Sequence, residues 1–204
     1  MRLRRDIRGN NFLADPIDEK DLARIIDAAL LAPSVGFSQP WEFVIIKDKN
    51  TRVAVSEVFR AENESAKTQF AQSGMSEDKQ ATYAQLKLEG ILETPVNIAV
   101  FYKPKSGPVL GQTSMPDMGR FSVVSAVQNM WLMARALNIG MGWVSILDED
   151  RIKDILNAPQ DRELIAYLCV GHVKAFQPSP ELERLAWEKR KQRQQIVFDE
   201  FYHA

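Results

Sequence analysis

Cysteine and histidine are almost missing from this 204-residue chain: Cys169 stands alone, and His172 and His203 are the two imidazoles. One thiol excludes an internal disulfide framework. Two imidazoles, both in the C-terminal part, argue against a histidine-rich metal site or a Ser-His-Asp hydrolase. Cys169 lies in the apolar run Ile165-Ala166-Tyr167-Leu168-Cys169-Val170, which reads as buried packing and not as a reactive thiol. Charge of one sign is lacking too: 26 Lys and Arg oppose 27 Asp and Glu, for a formal net charge of −1. That balance gives no electrostatic reason to expect nucleic acid. No apolar run approaches the roughly 18 residues of a membrane span, and no hydrophobic region of signal-peptide type follows the first residues. Neither a Gly-x-Gly-x-x-Gly fingerprint nor a P-loop occurs. The expectation is a soluble, cytoplasmic protein with one domain over residues 1–204 and no membrane or nucleic-acid partner.

What is present falls into short, punctuated pieces. Arg4-Arg5-Asp6-Ile7-Arg8 places three guanidiniums around one carboxylate, either as a surface ion-pair tangle or as a grip on a phosphate. A helix follows, opened by Pro16 and the capping residue Asp18, with Leu22, Ile25, Ile26, Ala29 and Leu30 on one face. It runs into Ala32-Pro33-Ser34-Val35-Gly36-Phe37-Ser38-Gln39-Pro40-Trp41, a loop stiffened by two prolines and a glycine. In such a loop the Ser34 and Ser38 hydroxyls are expected to face outward, as a wall for a polar ligand. Strands are expected at Phe43–Ile46, Pro95–Tyr102, Gly140–Leu147 and Ile165–Val170.

Between the first two strands, a short helix is expected around Val53–Phe59. A polar, lid-like excursion near 61–90 follows, broken at Gly74 and Met75, with helical spacing returning over Leu86–Leu92. Phe121–Leu137 is so apolar that it must be covered on several sides, as a central helix shared with a second subunit would be. After Gln177-Pro178-Ser179-Pro180 comes a C-terminal extension near 177–204 that carries Trp187 and Arg190 and is expected to reach the partner subunit.

The Arg-Arg-x-x-Arg start, the Pro-Ser-x-x-x-x-Gln-Pro-Trp loop, the Gly-x-Gly-Trp turn at 140–143 and the C-terminal basic residue, in this order, resemble the nitroreductase-like FMN flavoproteins. Within them the match is to the 5,6-dimethylbenzimidazole synthase family. The resemblance implies an α+β fold, with a central mixed, mostly antiparallel sheet of about five strands flanked by helices, in an interlocked homodimer. FMN would lie in two clefts at the subunit interface. Carried over position by position, it implies that Arg4, Arg5 and Arg8 bind the phosphate and ribityl end, that Ser34 lines the flavin edge, and that Arg190 closes on the phosphate. Met75 and Leu86 would come from the lid. Ser145 would sit beside the reactive side of the ring.

The implied reaction is the dioxygen-dependent fragmentation of reduced FMN to dimethylbenzimidazole, the cobalamin lower ligand, and erythrose 4-phosphate. Asp6 and Ser145 would be its catalytic residues, and a separate flavin reductase could supply the reduced FMN. Ordinary nitroreductases most often carry serine at the position of Asp6 and asparagine at that of Phe37. A carboxylate among binding arginines therefore points to chemistry, although the guanidiniums are expected to lower its proton affinity. The rival readings are an NAD(P)H-dependent FMN nitroreductase or flavin reductase, and a non-catalytic FMN-binding module.

Overall fold

Every residue of the strand Val96–Tyr102 (β2) is buried, and the two halves of the core divide along it. A computed structural model of the chain describes residues 1–202. Side chains alternate across a strand. Val96, Ile98, Val100 and Tyr102 therefore pack with one helical layer, formed by α1 (Glu19–Leu30) and α4 (Met118–Ala136). Ala99 and Phe101 pack with the other, formed by α2 (Lys49–Gln72) and α5 (Glu149–Leu156). Ile98, Met130, Val55 and Ile152 are fully enclosed, each contributing about 1.5–3 kcal/mol of hydrophobic stabilisation. Asp18 caps α1 by accepting the Lys20 N–H, and Asp148 caps α5 by accepting the Arg151 N–H.

Among the described residues the sheet has four strands, in the order β1 (Trp41–Ile46), β2, β4 (Glu163–Gly171), β3 (Gly140–Val144), and every pairing of these strands is antiparallel. The expected mixed sheet of about five strands is thus corrected. Its parallel component shrinks to a single bridge between Asp6 and Met141, because the chain turns away into a 3-10 turn at Gly9–Asn11. The third expected strand stops at Val144.

The polar excursion is more regular than its composition suggests. α2 continues for 24 residues and meets α3 (Glu77–Gln85) beyond a turn at Gly74. The Phe70 and Tyr83 rings meet edge-on at 4.9 Å, and the Tyr83 hydroxyl donates to Asn63 at 2.8 Å. Trp187 from the C-terminal segment lies 6.3 Å from the Tyr83 ring, so this part of the extension folds onto its own chain. Its last two residues, 203 and 204, lie outside the described residues. Residues 86–92 form no helix, contrary to their spacing. The Leu88 and Glu89 carbonyls are taken by Arg8 and by the Gly9 N–H, and so are lost to helical bonding.

The loop before β1 is strained. Gly36, Phe37 and Gln39 have φ of 53°, 51° and 47°, in the left-handed region that costs a side-chain-bearing residue about 1–2 kcal/mol. Its hydroxyls do not face outward as expected. Ser34 Oγ turns into the loop to accept the Gln39 N–H at 3.1 Å, and Ser38 Oγ is buried without a partner among the described residues. Phe37 is 81% exposed and packs on little that would offset its backbone conformation. Phe37→Asn should therefore stabilise the chain by about 0.5–1 kcal/mol, because asparagine tolerates the left-handed region. A higher urea midpoint with an unchanged slope would register that gain.

Candidate active site

Strand β3 has β4 on one side, and its other edge is covered by the N-terminal segment. The close approach depends on Gly142, where a Cβ would stand 2.2 Å from the Ile7 carbonyl oxygen. With that space free, the Ile7 N–H donates to Met141 O at 3.1 Å, and Asp6 Oδ1 accepts the Trp143 N–H at 3.1 Å. Asp6 Oδ2 pairs with Arg8, whose Nη1 donates to Leu88 O at 2.8 Å. One residue on, the Gly9 N–H donates to Glu89 O at 2.7 Å. Glu89 is itself a buried carboxylate, ion-paired to Lys87 and accepting the Ile91 N–H at 2.7 Å. The segment 86–90 is thereby fixed against Arg8, and Arg8 against Asp6.

These groups open onto a cavity of about 180 Å³. Arg4, Arg5, Arg8, Lys87 and Arg190 line it with only two carboxylates, Asp6 and Glu181, while Leu86, Leu88 and Leu182 give it apolar walls. Arg4 lies over the Trp131 ring at 4.7 Å. Neither Arg4 nor Arg190 has a carboxylate partner among the described residues. A surplus of cations in a partly apolar cavity is a site for an anion of more than one charge. The volume is below the roughly 300–1,000 Å³ of whole-ligand pockets, so it suits one end of an extended anionic ligand.

Arg5 stands apart from the other guanidiniums. Its donors are occupied by the carbonyls of Gln177 at 3.0 Å, Arg2 at 3.0 Å, Arg4 at 2.7 Å and Pro178. It clamps the C-terminal segment beside the cavity. Pro180, Glu181, Leu182 and Arg190 of that segment form one wall.

The sequence candidates Arg4, Arg5, Asp6, Arg8, Leu86 and Arg190 therefore meet in one place. Met75, Ser145 and Ser34 do not line it. Met75 sits in the turn between α2 and α3, with its carbonyl taken by Gln80 at 2.6 Å. Ser145 is exposed just past the end of β3, two residues from Trp143. Ser34 precedes β1, at the opposite edge of the sheet from β3. Three strand spacings of about 4.8 Å separate those edges by roughly 14 Å. Sequence reasoning missed Lys87 and Glu181. Lys87 had no signal beyond its place beside Leu86, and Glu181 lay in a segment read only as a polar tail.

The arginines lower the proton affinity of Asp6 as expected, but they do not decide the net shift. Burial raises its carboxyl above the ordinary value of 3.8, outweighing the Arg8 cation, the Trp143 N–H and Arg4, while Glu181 adds to the rise. The Asp6 side chain keeps 31% exposure where it borders cavity space, and protein encloses it elsewhere. Burial likewise pushes the Cys169 thiol up, in keeping with an unreactive packing residue.

Comparison with known proteins shows the family. The chain belongs to the nitroreductase family, whose model matches residues 1–172. Within it, the chain is 44% identical over 190 residues to the 5,6-dimethylbenzimidazole synthase of Rhodospirillum rubrum, covering 92% of this chain and 87% of that one. Among solved structures, the fold matches a BluB-like flavoprotein from Clostridium difficile with a TM-score of 0.69 at 20% identity, over 95% of this chain and 94% of that one. It also matches an iodotyrosine deiodinase bound to FMN and 3-iodo-L-tyrosine, with a TM-score of 0.70 at 21% identity, over 98% and 96% of the two chains. Among the described residues no helix is long and apolar enough to cross a membrane, and no cluster of potential metal ligands forms.

Gly142→Ala should push the N-terminal segment off β3 at a cost of about 1–3 kcal/mol. Faster hydrogen exchange at the Trp143 amide would report the loss of its Asp6 partner. Arg8→Gln should raise the Asp6 carboxyl further, which a ¹³C titration of the aspartate side chains would read. The raised carboxyl contributes stability that is complete below the unfolded value near 3.8 and is lost as pH climbs through the folded value. The wild type should therefore lose stability relative to Asp6→Asn across that window.

Proposed function

We propose that this chain is a 5,6-dimethylbenzimidazole synthase, which fragments reduced FMN with dioxygen to dimethylbenzimidazole and erythrose 4-phosphate. The observation that carries the reading is the Asp6 carboxylate, held by the Trp143 N–H inside an arginine-lined cavity. A site that only bound a phosphate would have no need of it, since a carboxylate there opposes an anion. The identity to the Rhodospirillum rubrum synthase and the FMN in the deiodinase neighbour support the same conclusion.

The residues fit FMN at its anionic end. Arg4 and Arg190 would hold the phosphate, and Leu86 and Leu88 would keep water from the ribityl arm. Reduced FMN, when bound, supplies the electrons and the carbon atoms of the product, with dioxygen as oxidant. Asp6 would move a proton at ribityl C1′. Its raised carboxyl brings it nearer the working range of a proton carrier than the arginines alone would allow. Arg8 holds Asp6 in place, Arg5 holds the C-terminal wall, and Ser145 would donate a hydrogen bond at the ring from the end of β3.

Ser34 and Met75 would complete the site around the ring. We infer that the Ser34 loop comes from a second copy in a homodimer, because within one chain it lies at the far edge of the sheet from Asp6. The C-terminal extension near 177–204 would reach that copy beyond Trp187. Ile196, Val197, Phe198, Phe201 and Tyr202 are exposed there, and the outer edge of β1 is open among the described strands. The excursion near 61–90, built as the α2–α3 hairpin, would act as the lid. A cytoplasmic setting and a separate flavin reductase that delivers reduced FMN belong to the same reading.

Photoreduced FMN mixed with the protein in air should yield dimethylbenzimidazole, detected by fluorescence and mass. Asp6→Asn should keep FMN binding and lose most of that product, by roughly 10²-fold or more. Unchanged product from the variant would remove Asp6 from the chemistry, and intact FMN from the wild type would defeat the synthase reading.

A further inference from the structure

Glu181, the second carboxylate of the arginine cavity, has no part in the mechanism above. It begins the short helix α6 (Glu181–Arg184) on the C-terminal segment, and its carboxylate forms no hydrogen bond or ion pair among the described residues. Asp6 and Glu181 also share a second, smaller cavity of about 20 Å³. Asn11, Gln177, Ser179 and Arg184 line it with them. A polar space of this size admits a single water, which needs about 10–15 Å³ and two to four polar partners. The larger cavity holds the ligand side of Asp6, and the smaller one leads from Asp6 to the half-buried Glu181 and the exposed residues after it.

We propose that one water in the smaller cavity joins the Asp6 carboxyl to Glu181, and that Glu181 is the outer end of a proton path serving Asp6. The proposal rests on Asp6 as the proton-handling group of the proposed synthase. The balance is simple. A proton taken up by Asp6 from the ligand passes to the water, which gives one of its own to the Glu181 carboxylate. Glu181 releases it to solvent, every group returns to its starting form, and no electron moves. Proton delivery to the ligand is the same sequence reversed.

The charges around the pair suit this exchange. Arg8 and Arg4 act on Asp6 directly, Arg5 lines both cavities, Lys87 and Arg190 line the larger one, and Arg184 lines the smaller. Two carboxylates close together repel, so the charge on Glu181 opposes ionisation of Asp6. Glu181 adds to the rise in the Asp6 carboxyl, as such a pair requires.

The test compares Glu181→Gln, Glu181→Asp and Glu181→Gly with the wild type. In the ligand-free protein, the ¹³C titration of Asp6, assigned with Asp6→Asn, should move to lower pH in Glu181→Gln and return toward the wild type in Glu181→Asp. With reduced FMN and air, Glu181→Gln should lose roughly ten- to a hundredfold in kcat, with KM within about twofold of the wild type. The solvent deuterium isotope effect should grow, and added formate should restore turnover in Glu181→Gly. An unmoved Asp6 midpoint in Glu181→Gln overturns the proposal, as does a variant that weakens FMN binding with kcat unchanged. A wild type that makes no dimethylbenzimidazole defeats the synthase reading instead, and the ligand-free titration still decides whether the two carboxyls are coupled.

Discussion

One hydrogen bond organises the site: the Trp143 N–H, at the outer edge of β3, donates to the Asp6 carboxylate at 3.1 Å. A bond from a backbone N–H to a charged acceptor contributes about 1.5–3 kcal/mol, more than a neutral pair. It satisfies a donor that an edge strand would otherwise leave open, and it fixes the carboxylate of Asp6 at the cavity wall. Closing the sheet and placing the acid are therefore one contact. The contact exists because Gly142 has no side chain to hold the Ile7 carbonyl away.

Around that contact, opposing electrostatic effects settle the character of the cavity. Cations outnumber carboxylates on its walls, which favours a multiply charged anion. Enclosure at Asp6 outweighs the same cations and raises its proton affinity. A single environment thus combines a surplus of cations with a carboxyl of raised proton affinity. The support is layered. Glu89 is held by Lys87 and its carbonyl receives the Gly9 N–H, the adjacent Leu88 carbonyl receives Arg8, and Arg8 holds Asp6. Arg5 performs the matching task on the other wall by binding the Gln177 and Pro178 carbonyls.

The topology explains why one chain does not gather all the residues that the family resemblance assigns to the ligand. Asp6 belongs to the β3 edge and Ser34 to the β1 edge, and two buried strands lie between them. A sheet of fixed spacing cannot fold to bring its edges together, so within one chain those residues stand roughly 14 Å apart. The Ser34 loop is strained, with side-chain-bearing residues in the left-handed region and an exposed aromatic at Phe37.

Much of this was legible in the order of residues. The continuously apolar β2 run, the capped helices at Asp18 and Asp148, the apolar helix through Val127 and Met130, and the arginine cluster around Asp6 each carry their signal within a few neighbouring positions. Local periodicity and capping are short-range physics, so sequence alone determined them. The extended path of residues 86–90 was not legible. Their spacing suits a helix, and only Arg8 and Gly9, some eighty positions away, take the carbonyls that a helix needs. Nor could sequence show that Arg5 would bind carbonyls while Arg4 has no carboxylate partner among the described residues, that burial would prevail over charge at Asp6, or that Glu181 would line the same cavities as Asp6. Those outcomes depend on which distant segments come into contact and how much water they exclude, and both are fixed only when the chain is packed.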